Sequence, residues 1–359
     1  MSLCDRPDAG GLVRRIAAEI AVSGPISVAE YMARRLHDPE DGYYATRPAL
    51  GERGDFITAP LVSQMFGELI GLWLAETWRG LGAPDRVILA EVGPGDGALM
   101  ADILRAARVA PPFAAAAEVW LVETSGPLRA LQAERLARAS PRWAATLTEL
   151  PADAPLLLVA NELLDCLPAR QFLRTERGWA ERVVGLDPGG ALAFGLRPAG
   201  PAGIDAPLGA IIEIAAAQSG FAAELAQRLT RQEGAALLVD YGRSAPDFGD
   251  TLQAVWRHRK VCPLSAPDGA DLTMHADFPA VLEAARAAGA AASLVTQREL
   301  LLRLGIEARA AALARARPDR AGQVRRQLDR LIAPDQMGEL FKAAAIWVGA
   351  TPPAFEAGE

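Results

Sequence analysis

Short apolar runs and amphipathic stretches alternate through the middle of the chain. Arg86-Val-Ile-Leu-Ala-Glu-Val92, Glu118-Val-Trp-Leu-Val-Glu123, Pro155-Leu-Leu-Leu-Val-Ala-Asn161 and Ala235-Ala-Leu-Leu-Val-Asp-Tyr241 are short and almost wholly apolar. They read as strands buried on both faces. Between the first three, residues 98–108 and 127–138 carry apolar positions at helical spacing. The alternation predicts βαβ units around a mostly parallel sheet, with crossovers on both faces. Residues 169–215 break this rhythm. Arg170-Gln-Phe-Leu-Arg174, Gly178-Trp-Ala-Glu-Arg-Val-Val184 and Ala191-Leu-Ala-Phe-Gly-Leu196 read as an inserted antiparallel meander with glycine-rich turns.

The flanks are helical. Residues 12–21 alternate apolar and charged positions at helical spacing. Ser27, with Glu30 three positions on, forms a capping-box pattern that opens a helix to about Leu36. Residues 38–60 are rich in Gly, Pro and Asp and read as a long loop. The helix expected over 63–79 is apolar on most sides and therefore buried. After Leu300 the chain reads as helical and Arg-rich up to Arg330, and the tail after Thr351 as frayed. The expected organisation is an N-terminal helical segment and lid loop (1–80), a core with insertions near 169–215 and 300–330 (81–350), and a tail (351–359).

Composition narrows the function. The chain has 359 residues, 51% hydrophobic, enough for a large core. A net charge of −7 argues against a general nucleic-acid binder. No apolar run approaches a membrane span, and the first residues lack the pattern of a secretory signal. Cys4, Cys166 and Cys262 lie far apart, which argues against a disulfide framework and fits the cytoplasm. Three histidines make a zinc site an unfavoured reading, and no metal is expected.

The chemistry concentrates in Ala90-Glu-Val-Gly-Pro-Gly-Asp-Gly97, between a strand and a helix. Gly93, Gly95 and Gly97 let the backbone turn sharply and approach a ligand at the switch point of the sheet. The same residues satisfy the loose dinucleotide pattern, so NAD is one reading. Asp96 at the mouth of the helix and Glu91 at the strand end weigh against a pyrophosphate. S-adenosylmethionine, cationic and free of phosphate, suits such carboxylates better. Glu123, at the end of the next strand, is placed to accept hydrogen bonds from a ribose in either case. Thr146-Leu-Thr-Glu-Leu150 can flank an adenine.

Further motifs specify a family. Gly54-Asp-Phe-Ile-Thr-Ala-Pro60, Ser63-Gln-Met-Phe-Gly-Glu68, the glycine turn, Ala160-Asn-Glu-Leu-Leu-Asp165, Val239-Asp-Tyr-Gly242, Pro267-Asp-Gly-Ala-Asp-Leu-Thr273 and Pro334-Asp-Gln-Met-Gly338 occur in that order. Over most of its length the chain resembles the MidA family. The resemblance implies an α/β fold of the class I S-adenosylmethionine-dependent methyltransferases. That fold is Rossmann-like, with a mostly parallel seven-stranded sheet whose last strand is antiparallel. Here it would carry an N-terminal helical segment, inserted antiparallel strands and C-terminal helices. The resemblance also implies symmetric dimethylation of a protein arginine on a respiratory complex I subunit during assembly. Eukaryotic relatives would act in the mitochondrial matrix. Gly93, Gly95 and Gly97 match the family's cofactor turn, and Glu123 its ribose-binding acid. Asn161 and Glu162 match the fourth strand end, where the methyl acceptor approaches. Asp96 stands where many relatives carry Arg, so its repulsion of phosphate is not a family property.

On the acceptor side, Asn161, Glu162 and Asp165 are the expected catalytic residues. If a helical turn starts there, Glu162 and Asp165 share a face and can hold a guanidinium between them. Asp165 as a helix cap is the alternative. Asp55, Thr58, Ser63 and Gln64, beside Phe56 and Phe66, form a candidate lid. Thr58 and Gln64 join Glu91, Glu123 and the three glycines as expected cofactor-binding residues. The arginines from Arg303 to Arg330 form a solvated face or a docking surface for an acidic partner. The competing functions are a small-molecule methyltransferase, a non-catalytic assembly chaperone with a retained cofactor pocket, and an NAD-dependent oxidoreductase.

Overall fold

The computed structural model describes residues 10–46 and 58–356. Cys4, Asp55 and Phe56 lie outside the described residues. The chain divides into two units: residues 1–56, 164–218 and 245–277 in one, and 57–163, 219–244 and 278–359 in the other.

The second unit is built on seven strands: β1 (Val87–Val92), β2 (Ala117–Val122), β3 (Arg142–Ala144), β4 (Leu156–Asn161), β5 (Gly234–Arg243), β6 (Ala291–Thr296) and β7 (Phe341–Val348). Their order across the sheet is β6-β7-β5-β4-β1-β2-β3. All neighbouring pairs from β3 to β5 are parallel, and β7 runs antiparallel to both β5 and β6. The order reverses at β1 and β4, which places a crevice at their carboxyl ends. In register, Leu89 sits between Val119 and Leu157, which explains the unbroken apolar runs of the central strands. Glu91 and Asn161 are the first polar residues each central strand meets at that edge.

Helix α1 (Gln64–Gly80) buries Met65, Phe66, Leu69, Ile70 and Trp73 in the core. Ser63 caps it, its Oγ accepting from the Met65 N–H at 3.3 Å. Helix α2 (Ala98–Ala107) packs closely on α1 because α1 carries two glycines at the contact. A Cβ at Gly67 would lie 2.5 Å from Asp102 Cβ, and one at Gly71 would lie 2.9 Å from Ala106 Cβ. Helix α3 (Gly126–Arg135) joins β2 to β3. The tail is docked as far as it is described, against the expectation of fraying. Phe355 is buried with its ring edge-on to Trp73, and the Trp73 indole N–H donates to the Pro353 carbonyl at 2.9 Å.

The first unit is antiparallel. Arg170–Thr175, Gly178–Leu186 and Leu192–Pro198 form the expected meander, extended by Ile211–Ile214 and Ile26–Ser27. A second sheet, Gln253–Trp256 between Arg259–Val261 and Asp271–Thr273, carried no clear pattern in the sequence. Ser27 and Glu30 form the reciprocal capping box, at 3.1 and 2.7 Å, that opens the Val28–His37 helix. Buried Arg35 donates to Tyr31 and to the Ala266 and Pro267 carbonyls, fixing the loop before Asp271. Cys166 is a buried free thiol. No helix among the described residues is long and apolar enough to cross a membrane.

Candidate active site

The turn after β1 takes left-handed backbone at each glycine, with φ of +64° at Gly93, +55° at Gly95 and +80° at Gly97. Side chains with a Cβ rarely adopt such angles, so the glycines are required by geometry. The Gly93 N–H donates to the Val122 carbonyl (3.1 Å) and the Gly97 N–H to the Pro94 carbonyl (2.8 Å). Gly97 then stands at the N-cap of α2. Asp96 accepts from the Ala98 N–H at 3.1 Å and pairs with Arg135 at 2.8 Å. Its charge is therefore partly neutralised, and its repulsion of an approaching anion is weaker than the sequence implies.

Glu123 follows β2 and is 8% exposed. One carboxylate oxygen accepts from the Ser125 N–H (2.7 Å) and the other from Gln132 Nε2 (3.3 Å). Burial raises its pKa, against the pull of the Ser125 and Gln132 donors. Gln132 was missed in the sequence and is central here. It is fully buried on α3, donates also to the Gly95 carbonyl at 2.7 Å, and accepts from the Trp143 indole at 2.8 Å. One side chain thus ties the glycine turn to the acid. The available signal was its phase: Gln132 falls four positions after buried Leu128, on the inward stripe of its helix.

Glu91, at the end of β1, is 2% exposed, and burial pushes its carboxyl well above the usual carboxylate range. Its Oε2 is buried without a hydrogen-bond partner. A buried carboxyl oxygen without a partner beside a glycine turn fits a ligand that supplies the missing hydrogen bond.

Asn161 ends β4 opposite Val239 of β5. Glu162 follows in left-handed backbone, with φ of +54°, and its N–H donates to the Val239 carbonyl at 2.8 Å. Its Oε1 accepts from Asn161 Nδ2 (3.0 Å) and from the Ala59 N–H (3.4 Å). β4 lies beside β1, and a Cβ on Gly93 would meet Leu163 Cδ1 at 3.3 Å, so the glycine turn and the exit of β4 adjoin. The helical turn expected after Asn161 is absent. The chain bends at Glu162, and no helix precedes the next strand at Arg170, so the two acids share no helical face. No helix starts after Asp165 in its own segment. Asp165 is buried in the other unit, where its carbonyl accepts from the Met274 N–H at 2.9 Å.

Thr58 stands at the N-cap of the short helix Ala59–Val62, but its side chain makes no capping bond. Gln64 is exposed and donates along its own helix to Glu68 at 3.2 Å. Glu91, the three glycines and Glu123 therefore gather at the turn, with Asn161 and Glu162 adjoining them.

A reversed-order parallel sheet with an antiparallel seventh strand, a glycine turn after β1 and an acid after β2 defines a class I S-adenosylmethionine-dependent methyltransferase. Residues 69–296 match the Methyltransf_28 family of S-adenosyl-L-methionine-dependent methyltransferases, and the chain belongs to that family. It is similar to the mitochondrial protein arginine methyltransferase NDUFAF7 of Mus musculus, 35% identical over 93% of this chain and 84% of that protein. The Homo sapiens counterpart is 34% identical, over 93% of this chain and 83% of that protein. Among solved structures, a Burkholderia thailandensis protein bound to S-adenosyl-homocysteine is similar at a TM-score of 0.85 and 30% identity, covering 99% of this chain and 98% of that one. The cofactor is S-adenosylmethionine, and the NAD reading falls away.

Proposed function

We propose that this chain methylates arginine side chains of a protein substrate, by symmetric dimethylation, and that the substrate is a respiratory complex I subunit during assembly. The carrying observation is Glu162: a carboxylate on left-handed backbone at the carboxyl end of β4, beside the glycine turn. The name of the mitochondrial relatives supports arginine as the acceptor.

S-adenosylmethionine supplies an activated methyl group on a sulfonium when bound. The backbone of Gly93, Gly95 and Gly97 admits it without a Cβ clash, and Glu123 accepts hydrogen bonds from its ribose hydroxyls. Glu91 offers its unpartnered oxygen to a polar group of the cofactor. Glu162 holds the acceptor guanidinium by charge-assisted hydrogen bonds and turns one nitrogen toward the methyl. The guanidinium is planar and cationic, so two-point holding by a carboxylate fixes its plane. Asn161, donating to Glu162 at 3.0 Å, orients that carboxylate. Glu162 also stands ready to hold the proton that leaves the alkylated nitrogen.

The test is to incubate the protein with labelled S-adenosylmethionine and a lysate of cells lacking it, then map the label by mass spectrometry. Symmetric dimethylarginine on a complex I subunit is expected. Label confined to small molecules overturns the protein acceptor. Absence of label together with rescue of assembly in cells replaces the enzyme by a chaperone.

A further inference from the structure

Arginines concentrate between residues 303 and 330, and the fold turns many of them outward. Ile306–Ala316 and Ala321–Ile332 pack on each other and are joined by a short turn at Pro318–Arg320. Two arginines of this pair are engaged by acids, and Arg330 donates to the Gln336 amide oxygen at 3.2 Å. Arg309 reaches both oxygens of buried Glu68, at 2.8 and 3.1 Å, which anchors the pair to α1, and Arg317 pairs with Asp319 at 2.9 Å. Arg315, Arg320, Arg325, Arg326 and Arg330 are exposed, and among the described residues none makes an ion pair with a carboxylate. Exposed arginines without an acid also occur singly elsewhere, as at Arg108, Arg138 and Arg177; what distinguishes this segment is that five stand together on one helix pair and its joining turn. Residues 306–332 hold seven arginines against the three acids Glu307, Asp319 and Asp329, a cationic excess on a chain of net charge −7 that suits an external anion.

This cationic helix pair adjoins the proposed acceptor site. Gln327 Nε2 donates to the Val62 carbonyl at 2.8 Å. Val62 ends the short helix whose Ala59 N–H reaches Glu162 at 3.4 Å. Arg330 lies three positions on from Gln327 and shares its face of the helix, and Arg326 lies one turn before Arg330 on that side.

We infer that this helix pair docks an acidic stretch of the protein substrate, next to the arginine presented to Glu162. What is presented rests on the arginine-methyltransferase reading; the charge argument does not. Guanidinium groups pair carboxylates bidentately and fix orientation as well as approach. Single-stranded nucleic acid would need stacking surfaces, and residues 306–332 contain no aromatic side chain. A membrane surface would need exposed apolar anchors, and none of the exposed large apolar side chains falls in this segment.

The test uses the full chain and three fluorescent peptides, in which Gly-Arg-Gly precedes a run of Glu, Gln or Lys, with binding read by anisotropy at low salt. The Glu peptide should bind about tenfold more tightly than the Gln peptide, and the Lys peptide not at all. Arg326→Glu with Arg330→Glu should erase the preference, and Arg326→Gln with Arg330→Gln should halve it or more, while S-adenosylmethionine affinity is unchanged. Equal binding of Glu and Gln peptides overturns the docking surface. So does a preference that survives charge reversal in a protein that still binds cofactor. Tighter binding of a uridine homopolymer or of anionic vesicles than of the Glu peptide overturns it in favour of that partner. Failure of the arginine reading shows separately, as absence of methylarginine in the lysate experiment, and leaves the anisotropy result standing.

Discussion

The two neighbouring halves of the site are built on different plans. On the cofactor half, turn, acid and helix are interlocked: Gln132 bonds the Gly95 carbonyl, Glu123 and Trp143 at once, and Asp96 accepts from the Ala98 N–H while pairing with Arg135. On the acceptor half, Glu162 sits on one left-handed residue and is steadied by Asn161 and the Ala59 backbone. A cofactor of fixed shape rewards a preorganised cradle. In the proposed reaction, an acceptor that arrives on a protein would be met by the Glu162 carboxylate on its bend. Damage to the first half should therefore show in binding, and damage to the second in turnover.

The largest effect should come from the turn. Gly95→Val places a β-branched side chain at a φ of +55° and should abolish detectable S-adenosylmethionine binding. Calorimetry on a variant with native circular dichroism checks this; unchanged affinity would remove the turn from the cofactor site.

Next comes Glu162→Gln, which preserves size and removes charge. Methyl transfer should fall by at least about a hundredfold, the cost of a misaligned acceptor, while cofactor affinity stays within a factor of about two. A variant that keeps full turnover breaks the contrast between the halves. Asp165→Asn should cost less turnover if the carboxylate that holds the guanidinium is Glu162, and an equal loss would call for a two-acid clamp.

A smaller effect is expected for Gln132→Leu, which unties turn and acid together, and for Glu123→Ala. Each should weaken cofactor binding by about 1–3 kcal/mol, the scale of hydrogen bonds to a charged group. Turnover should largely recover at saturating cofactor. Normal binding without turnover would assign Glu123 to chemistry instead.

The smallest effect concerns pH. Burial raises Glu123, so in the free protein it keeps a proton at pH values where the unfolded chain has lost it. Its contribution to stability is then greatest at low pH and declines as pH rises through the folded value. Cofactor affinity runs the other way, because the carboxylate accepts hydroxyl donors best once ionised. A rise of a few-fold in affinity across the weakly acidic range is expected, absent in Glu123→Gln. A flat wild-type profile counts against Glu123 as the ribose acceptor.

Much of this was legible in the sequence, for definite physical reasons. β1, β2, β4 and β5 are buried on both faces and read as uninterrupted apolar runs. The capping box at Ser27 and Glu30 and the glycine turn depend on local geometry, which local sequence records. β6 and β7 did not show themselves by pattern. Ala-Ala-Ser-Leu-Val-Thr296 and Phe-Lys-Ala-Ala-Ala-Ile-Trp-Val348 are rich in alanine, a strong helix former, and only pairing across the sheet makes them strands. The bend at Glu162 was equally hidden, since an acid in left-handed backbone leaves no compositional trace. The seat of Gln132 depends on Trp143 and Gly95, distant in sequence. The tail at Phe355 is ordered by Trp73, a partner that no local pattern could name.

The position of β7 sets a condition on biosynthesis. It is the last strand of the sheet to leave the ribosome, yet it lies between β5 and β6 and pairs with both. Until residues 341–348 emerge, one long edge of β5 has no partner in the sheet, and that edge belongs to a strand of almost wholly buried apolar residues. A nascent chain stalled before this point presents an adhesive margin to other stalled chains. Emergence of this strand and closure of the sheet are thus one event. A stop codon even shortly before Phe341 should yield insoluble product rather than a slightly weakened enzyme.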